Sequence, residues 1–245
     1  MTTGQTEPQP GHEWTDAARV DDYIERMDTG EDAERRPIFE YMTRLIGAEP
    51  DAELSVLDIG SGYGPVAAVV LDAYPKAHAV GLDISEAMMK AGRERMARFG
   101  DRFRYMVGDF GEGKLPPQVA EAGPYDVVVS ARAIHHLSAE LMASLYANIY
   151  ENLNPGGSFF NLDTASAETD LVRDRYRAAR GAEGSSYARE RDRRPSNEPR
   201  HTDVFPHHRD ATLVRHLEWL KAGGFDGCDC FYKRGERALI GGFKA

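Results

Sequence analysis

Cysteine is nearly missing from this chain. There are two in 245 residues, Cys228 and Cys230, with a single residue between them. So close a pair in a strand-like stretch suits two buried thiols better than a disulfide, which argues against a disulfide-stapled scaffold. Long hydrophobic runs are missing too, and no segment approaches the ~20 apolar residues of a membrane-spanning helix. The opening MTTGQTEPQPGHE has no apolar stretch of the kind a secretory signal carries, so none is expected there, and residues 1–13 read as a disordered tail. Positive charge is in deficit: 30 Lys and Arg against 40 Asp and Glu give a formal net charge of -10. That is a poor start for non-specific binding to nucleic acid, which is not expected as a partner. Together these absences point to a soluble cytoplasmic protein without a membrane partner.

The charge deficit is not uniform, since nine arginines lie between Arg173 and Arg200. They can form a local basic patch or simply a solvated helix–loop segment. The 41% hydrophobic content is enough to bury a core, and the length accommodates one large domain. From residue 54 onward, β-rich runs alternate with helical patterns. The strand candidates are 54–59, 78–83, 103–107, 125–130 and 158–163, with helix candidates at 65–74, 85–99 and 138–153. Alternation at this spacing implies crossover connections and a parallel sheet, and a run such as DVVVS suits a strand covered on both faces. Pro65 suits a first helical turn, Ser85 and Ser138 suit helix caps, and NPGG at 154–157 suits a stop. A last amphipathic helix over 212–222 precedes two strand-like runs joined by RGE, which read as a terminal hairpin. Residues 14–245 therefore read as one domain. Residues 14–50 form an N-terminal helical cap, and 164–208 an insertion or lid.

The chemistry concentrates at VLDIGSGYG. Gly60, Gly62 and Gly64 follow the first strand directly, where glycine permits positive φ and close approach of a ligand. The dinucleotide fingerprint would require a glycine where Pro65 stands, so a nicotinamide enzyme is disfavoured. Asp83 ends the second strand 23 residues after Gly60, placed to accept hydrogen bonds from ribose hydroxyls. Asp109 follows the third strand in VGDF, suited to an adenine amino group, with Phe110 offering an apolar face. Asp58 precedes the loop, where a carboxylate can orient backbone amides or meet a cationic amino group through water. Acidic residues at the carboxyl ends of successive strands mark the edge where open α/β sheets bind ligands.

VLDIGSGYG, GLDIS, VGDF, YDVVVSARAIHHL and LNPGGSFF resemble, in order, the motifs of the class I S-adenosylmethionine-dependent methyltransferases. The likeness is to the small-molecule subgroup with an IHHL segment after strand four, which includes bacterial natural-product enzymes and a carboxymethyl-transfer relative acting on tRNA. It covers about 54–163 and 210–245. The resemblance implies a doubly wound, Rossmann-like α/β sheet of seven strands with the last strand reversed. It implies S-adenosyl-L-methionine as cofactor: Gly60 and Gly62 at its methionine part, Asp83 on ribose and Ile84 on adenine. Asp109 and Phe110 would fix the base, and Ser130 and Ala131 would line the sulfonium side. Methyl transfer to an O, N or C nucleophile of a small molecule is the expected activity. An RNA modifier using the arginine-rich segment, and an idle cofactor-binding regulator, are the alternatives.

His135 and His136 follow strand four and are the candidates for a general base, or else for a pair that packs against the sheet. Tyr23 and Arg26 in the cap, with Trp14, are placed to cover cofactor or substrate. His207 and His208, with His201, belong to the insertion. Without ligand spacing or a cysteine motif they suggest a lid or acceptor-pocket role rather than a metal site, so no metal is expected. A homodimer remains open.

Overall fold

The computed structural model describes residues 14, 16–26, 32–182 and 211–245. Two helices, α1 (Ala17–Arg26) and α2 (Asp32–Leu45), precede the sheet. Then come β1 (Ser55–Ile59), α3 (Pro65–Ala73), β2 (His78–Asp83), α4 (Glu86–Met96) and β3 (Phe103–Val107). They are followed by α5 (Pro117–Glu121), β4 (Tyr125–Ala131), α6 (Ala139–Glu151), β5 (Leu153–Thr164) and α7 (Asp170–Ala182). The chain ends with α8 (Leu213–Ala222), β6 (Asp226–Arg234) and β7 (Arg237–Phe243). Short 3₁₀ turns extend α4 over Ala97–Arg102 and precede α6 at Ile134–His136.

The seven strands form one sheet in the order β3-β2-β1-β4-β5-β7-β6. Pairing is parallel from β3 through β5, and β7 runs antiparallel to both β5 and β6. The strand order reverses between β1 and β4, the switch point at which doubly wound sheets open a crevice. Period-two alternation explains the two cores. Val56, Val127, Val129 and Phe160 pack with α2 and α3 on one face. Leu57, Val128 and Phe159 pack with α5, α6 and α8 on the other. A sheet covered on both faces needs apolar residues at nearly every position, which is what VVV and SFF supply.

The helix boundaries have local causes. Pro65 opens α3 behind Gly64, whose φ of 87° places it in the left-handed region. Ser85, Ser138 and Thr212 cap α4, α6 and α8, each accepting a hydrogen bond from the third amide beyond it. One element differs from the sequence reading. β5 begins at Leu153, so NPGG lies inside it rather than stopping before it. The backbone of Gly156 and Gly157 pairs with Lys244, extending the ladder. The described part of the 164–208 stretch contains α7, and Ser166 bridges Thr212 at the start of α8. Among the described residues no helix is long and apolar enough to cross a membrane. Both cysteines are free and half-buried.

Candidate active site

The glycine loop stands at the carboxyl end of β1, between β2 and β4. Gly60, Gly62 and Gly64 all have positive φ, at 66°, 55° and 87°. The loop is tied to β2 at both backbone and side-chain level: Ser61 N–H donates to Leu82 O at 2.9 Å, and Gly62 N–H donates to Asp83 Oδ2 at 2.7 Å. The Gly60 backbone lies so close to the turn after β4 that a Cβ there would fall 2.1 Å from Ala133 Cβ. At Gly62 a Cβ would meet nothing nearer than Met88 Sδ at 4.0 Å, so the side-chain direction there is open.

Asp58 is fully buried beneath the loop, and its Oδ2 accepts from Ala67 N–H at 3.1 Å. Its Oδ1 has no hydrogen-bond partner among the described residues, and neither has Ser61 Oγ. Burial, the largest influence, pushes the Asp58 pKa up to about 7, and the Asp83 carboxylate pushes the same way. The Ala67 amide opposes the rise, as does the Ser61 hydroxyl, which is near without making a bond of normal geometry. Asp83 is also buried, with Oδ1 on Ser85 N–H at 2.8 Å. Burial raises its pKa against the amides of Ser85, Gly62 and Ile84. Among the described residues no cation pairs with either buried acid, and Asp58 Oδ1 is left without a hydrogen-bond partner.

The other proposed cofactor residues occupy the same edge in different ways. Asp109 is exposed just beyond β3, and its Oδ1 accepts from Gly111 N–H at 2.6 Å. Phe110 is half-buried and packs on the core under β4. Ser130 is fully buried, and its hydroxyl donates to Ile59 O at 2.8 Å, clamping β4 to β1. Ala131 and Ile84 are partly exposed.

The two histidines part company. His135 Nδ1 lies 2.6 Å from Asp163 Oδ1, and its backbone N–H donates to Asp163 Oδ2 at 3.1 Å. An ionised carboxylate only accepts, so His135 Nδ1 carries the proton and Nε2 is the basic atom of the ring. Asp163 is buried at the end of β5 and also accepts from Thr164 N–H at 2.8 Å. Burial alone would raise its pKa. The charge and hydrogen bonds of His135, with the Thr164 amide, overcome that and hold it below the usual carboxylate range. His136 turns instead toward the cap: its Nε2 accepts from Trp14 Nε1–H at 3.4 Å, while its ring lies 4.2 Å from that of His135. Sequence reasoning found the histidines but missed Asp163, whose only signal was its place at a strand end.

Tyr23 packs edge-on against Trp14, with ring centroids 4.9 Å apart, in a cluster with Val20, Tyr63 and Met88. The cap therefore rests on the glycine loop and the start of α4. The Arg26 side chain, His207 and His208 lie outside the described residues, as do His201 and most of the arginine-rich segment. Its described arginines include Arg173, which pairs with Asp170 and Glu236, and Arg177, which pairs with Asp174.

A family model described as a methyltransferase domain matches residues 56–157, the stretch that builds this edge. An uncharacterized methyltransferase of Geobacillus sp. is 32% identical over 154 residues, which is 62% of this chain and 65% of the relative. A ubiquinone/menaquinone biosynthesis C-methyltransferase of Methylobacterium nodulans is 31% identical over 49% of this chain and 47% of its own length. The chain thus spans less than two thirds of either relative. An O-methyltransferase family protein from Burkholderia thailandensis has the same fold, with a TM-score of 0.67 at 18% identity over 98% of this chain and 65% of that one.

Residues 56–157 carry a methyltransferase domain, and the sheet order with its reversed last strand is the fold of the class I S-adenosylmethionine-dependent methyltransferases. The cofactor is S-adenosyl-L-methionine, and the methyltransferase edge fits that group on physical grounds. The open cradle at Gly62 admits an amino-acid backbone, and the orphaned Asp58 and Ser61 oxygens suit a cationic ammonium. The acidic surroundings suit a sulfonium.

Proposed function

We propose that this methyltransferase transfers a methyl group to a small-molecule acceptor whose nucleophile must first lose a proton, with His135 as the general base. The observation that carries the reading is the 2.6 Å contact between His135 Nδ1 and the Asp163 carboxylate. The cofactor, when bound, supplies an electrophilic methyl group on a positively charged sulfur. Gly60 and Gly62 hold its methionine portion, Asp83 and Ile84 its ribose and adenine, and Asp109 and Phe110 the far edge of the base. Ala131 lines the approach to the sulfur, and Ser130 fixes the strand that carries it.

His135 then does what a methyl donor cannot. Asp163 fixes the imidazole tautomer and stabilises the imidazolium that forms when Nε2 takes the acceptor proton. A hydroxyl acceptor gains most, because its neutral form is a weak nucleophile. The cap residue Tyr23 belongs to the cover over acceptor and cofactor. Water exclusion and in-line positioning supply much of the remaining acceleration. The pairing of Arg173 and Arg177 with acids favours a metabolite over a polyanion.

Calorimetry with S-adenosylhomocysteine tests the cofactor, and incubation of methyl-labelled donor with hydroxyl-bearing metabolites finds the acceptor. With an acceptor in hand, Asp163→Asn is expected to lower single-turnover methylation by ~10²-fold or more, with S-adenosylhomocysteine affinity changed less than about two-fold. Equal turnover in the variant would remove His135 from the mechanism. Absence of binding at millimolar concentration would remove the cofactor reading itself.

A further inference from the structure

The residue that joins the two halves of the cleft lies far from both in sequence. Trp14 O accepts a hydrogen bond from Ser85 Oγ, at the end of β2 beside Asp83 and Ile84. Its indole Nε1–H donates to His136 Nε2, in the turn after β4 beside His135. Because β1 lies between β2 and β4 in the sheet, these anchors flank the glycine loop on opposite sides. Neighbouring strands are ~4.8 Å apart, so the span is about 10 Å, within reach of one tryptophan with its backbone. Tyr23 packs against the indole edge and Arg19 lies over its ring at 5.1 Å. Tyr63 of the glycine loop and Met88 of α4 complete the apolar seat.

The chemistry of the two bonds makes this a fastening rather than incidental packing. An indole N–H only donates, so the contact requires an unprotonated His136 Nε2. The Ser85 hydroxyl uses both its roles at once: it accepts from Met88 N–H as the cap of α4 and donates to Trp14 O. Replacing the indole leaves both Ser85 bonds in place, since Trp14 offers only its backbone carbonyl there, and frees the His136 end of the strap.

We propose that Trp14 is a positioning residue that straps the cofactor cleft shut, so that the cofactor and its demethylated product exchange only when both of its hydrogen bonds release. The inference rests on the cofactor reading above and adds a retention step to it. The strap crosses from the ribose side to the methyl-transfer side, so it also keeps His136, and through the tilted ring contact at 4.2 Å His135, in register with the loop.

The sequence contains two tryptophans, so a Trp219→Phe parent leaves Trp14 as the only indole. S-adenosylhomocysteine release is then measured by stopped flow, using Trp14 emission and, for Trp14 variants, displacement by a fluorescent analogue. In the parent, Trp14 emission should change on adding S-adenosylhomocysteine. Trp14→Ala should release it at least about ten-fold faster, with unchanged circular dichroism. Trp14→Phe, which keeps the ring and loses the N–H, should fall between. A parent that binds S-adenosylhomocysteine, with release from Trp14→Ala within two-fold and silent Trp14 emission, overturns the strap alone. A parent that binds none overturns the cofactor reading and the strap with it.

Discussion

Asp58 shows how one buried atom can be tuned for a ligand. Its pKa of about 7 arises because burial penalises the charge and the loop supplies no cation. An ammonium arriving at Oδ1 would favour the carboxylate and expel the proton that the empty protein holds. Below pH 7, S-adenosylhomocysteine binding should therefore release close to one proton, falling toward none by pH 8. Affinity should weaken by up to about ten-fold for each unit that the pH drops below 7. Calorimetry at pH 6 in two buffers of unlike ionisation enthalpy measures that proton. Asp58→Asn should abolish the release, and a release that persists in the variant would assign the proton to another group.

At the scale of elements, the glycine loop separates two costs that a sequence pattern merges. Gly60→Ala combines positive φ with a Cβ placed 2.1 Å from Ala133 Cβ, whereas Gly62→Ala brings positive φ alone. The left-handed conformation costs ~1–2 kcal/mol for a non-glycine residue, and overpacking adds ~1–3 kcal/mol. In urea melts Gly60→Ala should thus be clearly the more destabilised. Adding Ala133→Gly should restore part of the loss, since it removes the clash and leaves the strain. Equal midpoints for the two single variants would show that the turn after β4 yields freely.

The same elements show what the sequence could and could not disclose. Strands β1, β2 and β4 were legible within a residue or so because a doubly covered parallel strand has no polar side to disguise it. The acidic strand ends and the glycine loop were legible for the same reason: each is local. What escaped was contact across sequence. Asp163 meets His135 across 28 residues and Trp14 meets His136 across 122, and no periodicity reports which side chains a fold brings face to face. The start of β5 escaped because its extension depends on Lys244, at the far end of the chain. Helix α5 is only five residues long and opens on a proline pair, too short for a periodic signal.

Across the whole molecule, buried titrating groups on opposite faces of the sheet pull stability in opposite directions. On one face, Asp58 holds its proton up to about pH 7, whereas the unfolded carboxylate releases it near 4. Stability therefore falls as pH rises through that window, by up to about 4 kcal/mol, and Asp83, also raised, adds to the fall. On the other face, His216 donates to or accepts from Tyr146 OH through Nδ1 at 2.8 Å, and burial pushes its pKa down to about 4. The unfolded imidazole takes its proton near 6.5 and the folded one resists, so stability falls as pH drops from 6.5 toward 4, by up to about 3 kcal/mol. Between pH 4 and 6.5 the two effects oppose each other, and above 6.5 only the carboxylate effect remains. Urea unfolding of the cofactor-free protein should give a stability that declines gently from pH 4.5 to 6.5, where His216 offsets part of the carboxylate effect, and goes on declining from 6.5 to 7.5. Asp58→Asn should flatten the decline from pH 4.5 to 6.5 and leave a smaller drop above. His216→Gln loses a hydrogen-bonded partner and will be less stable throughout, but its slope is the informative quantity: stability should fall continuously from pH 4.5 to 7.5. Profiles for the two variants that run parallel to the parent would mean that neither buried group titrates where its surroundings require.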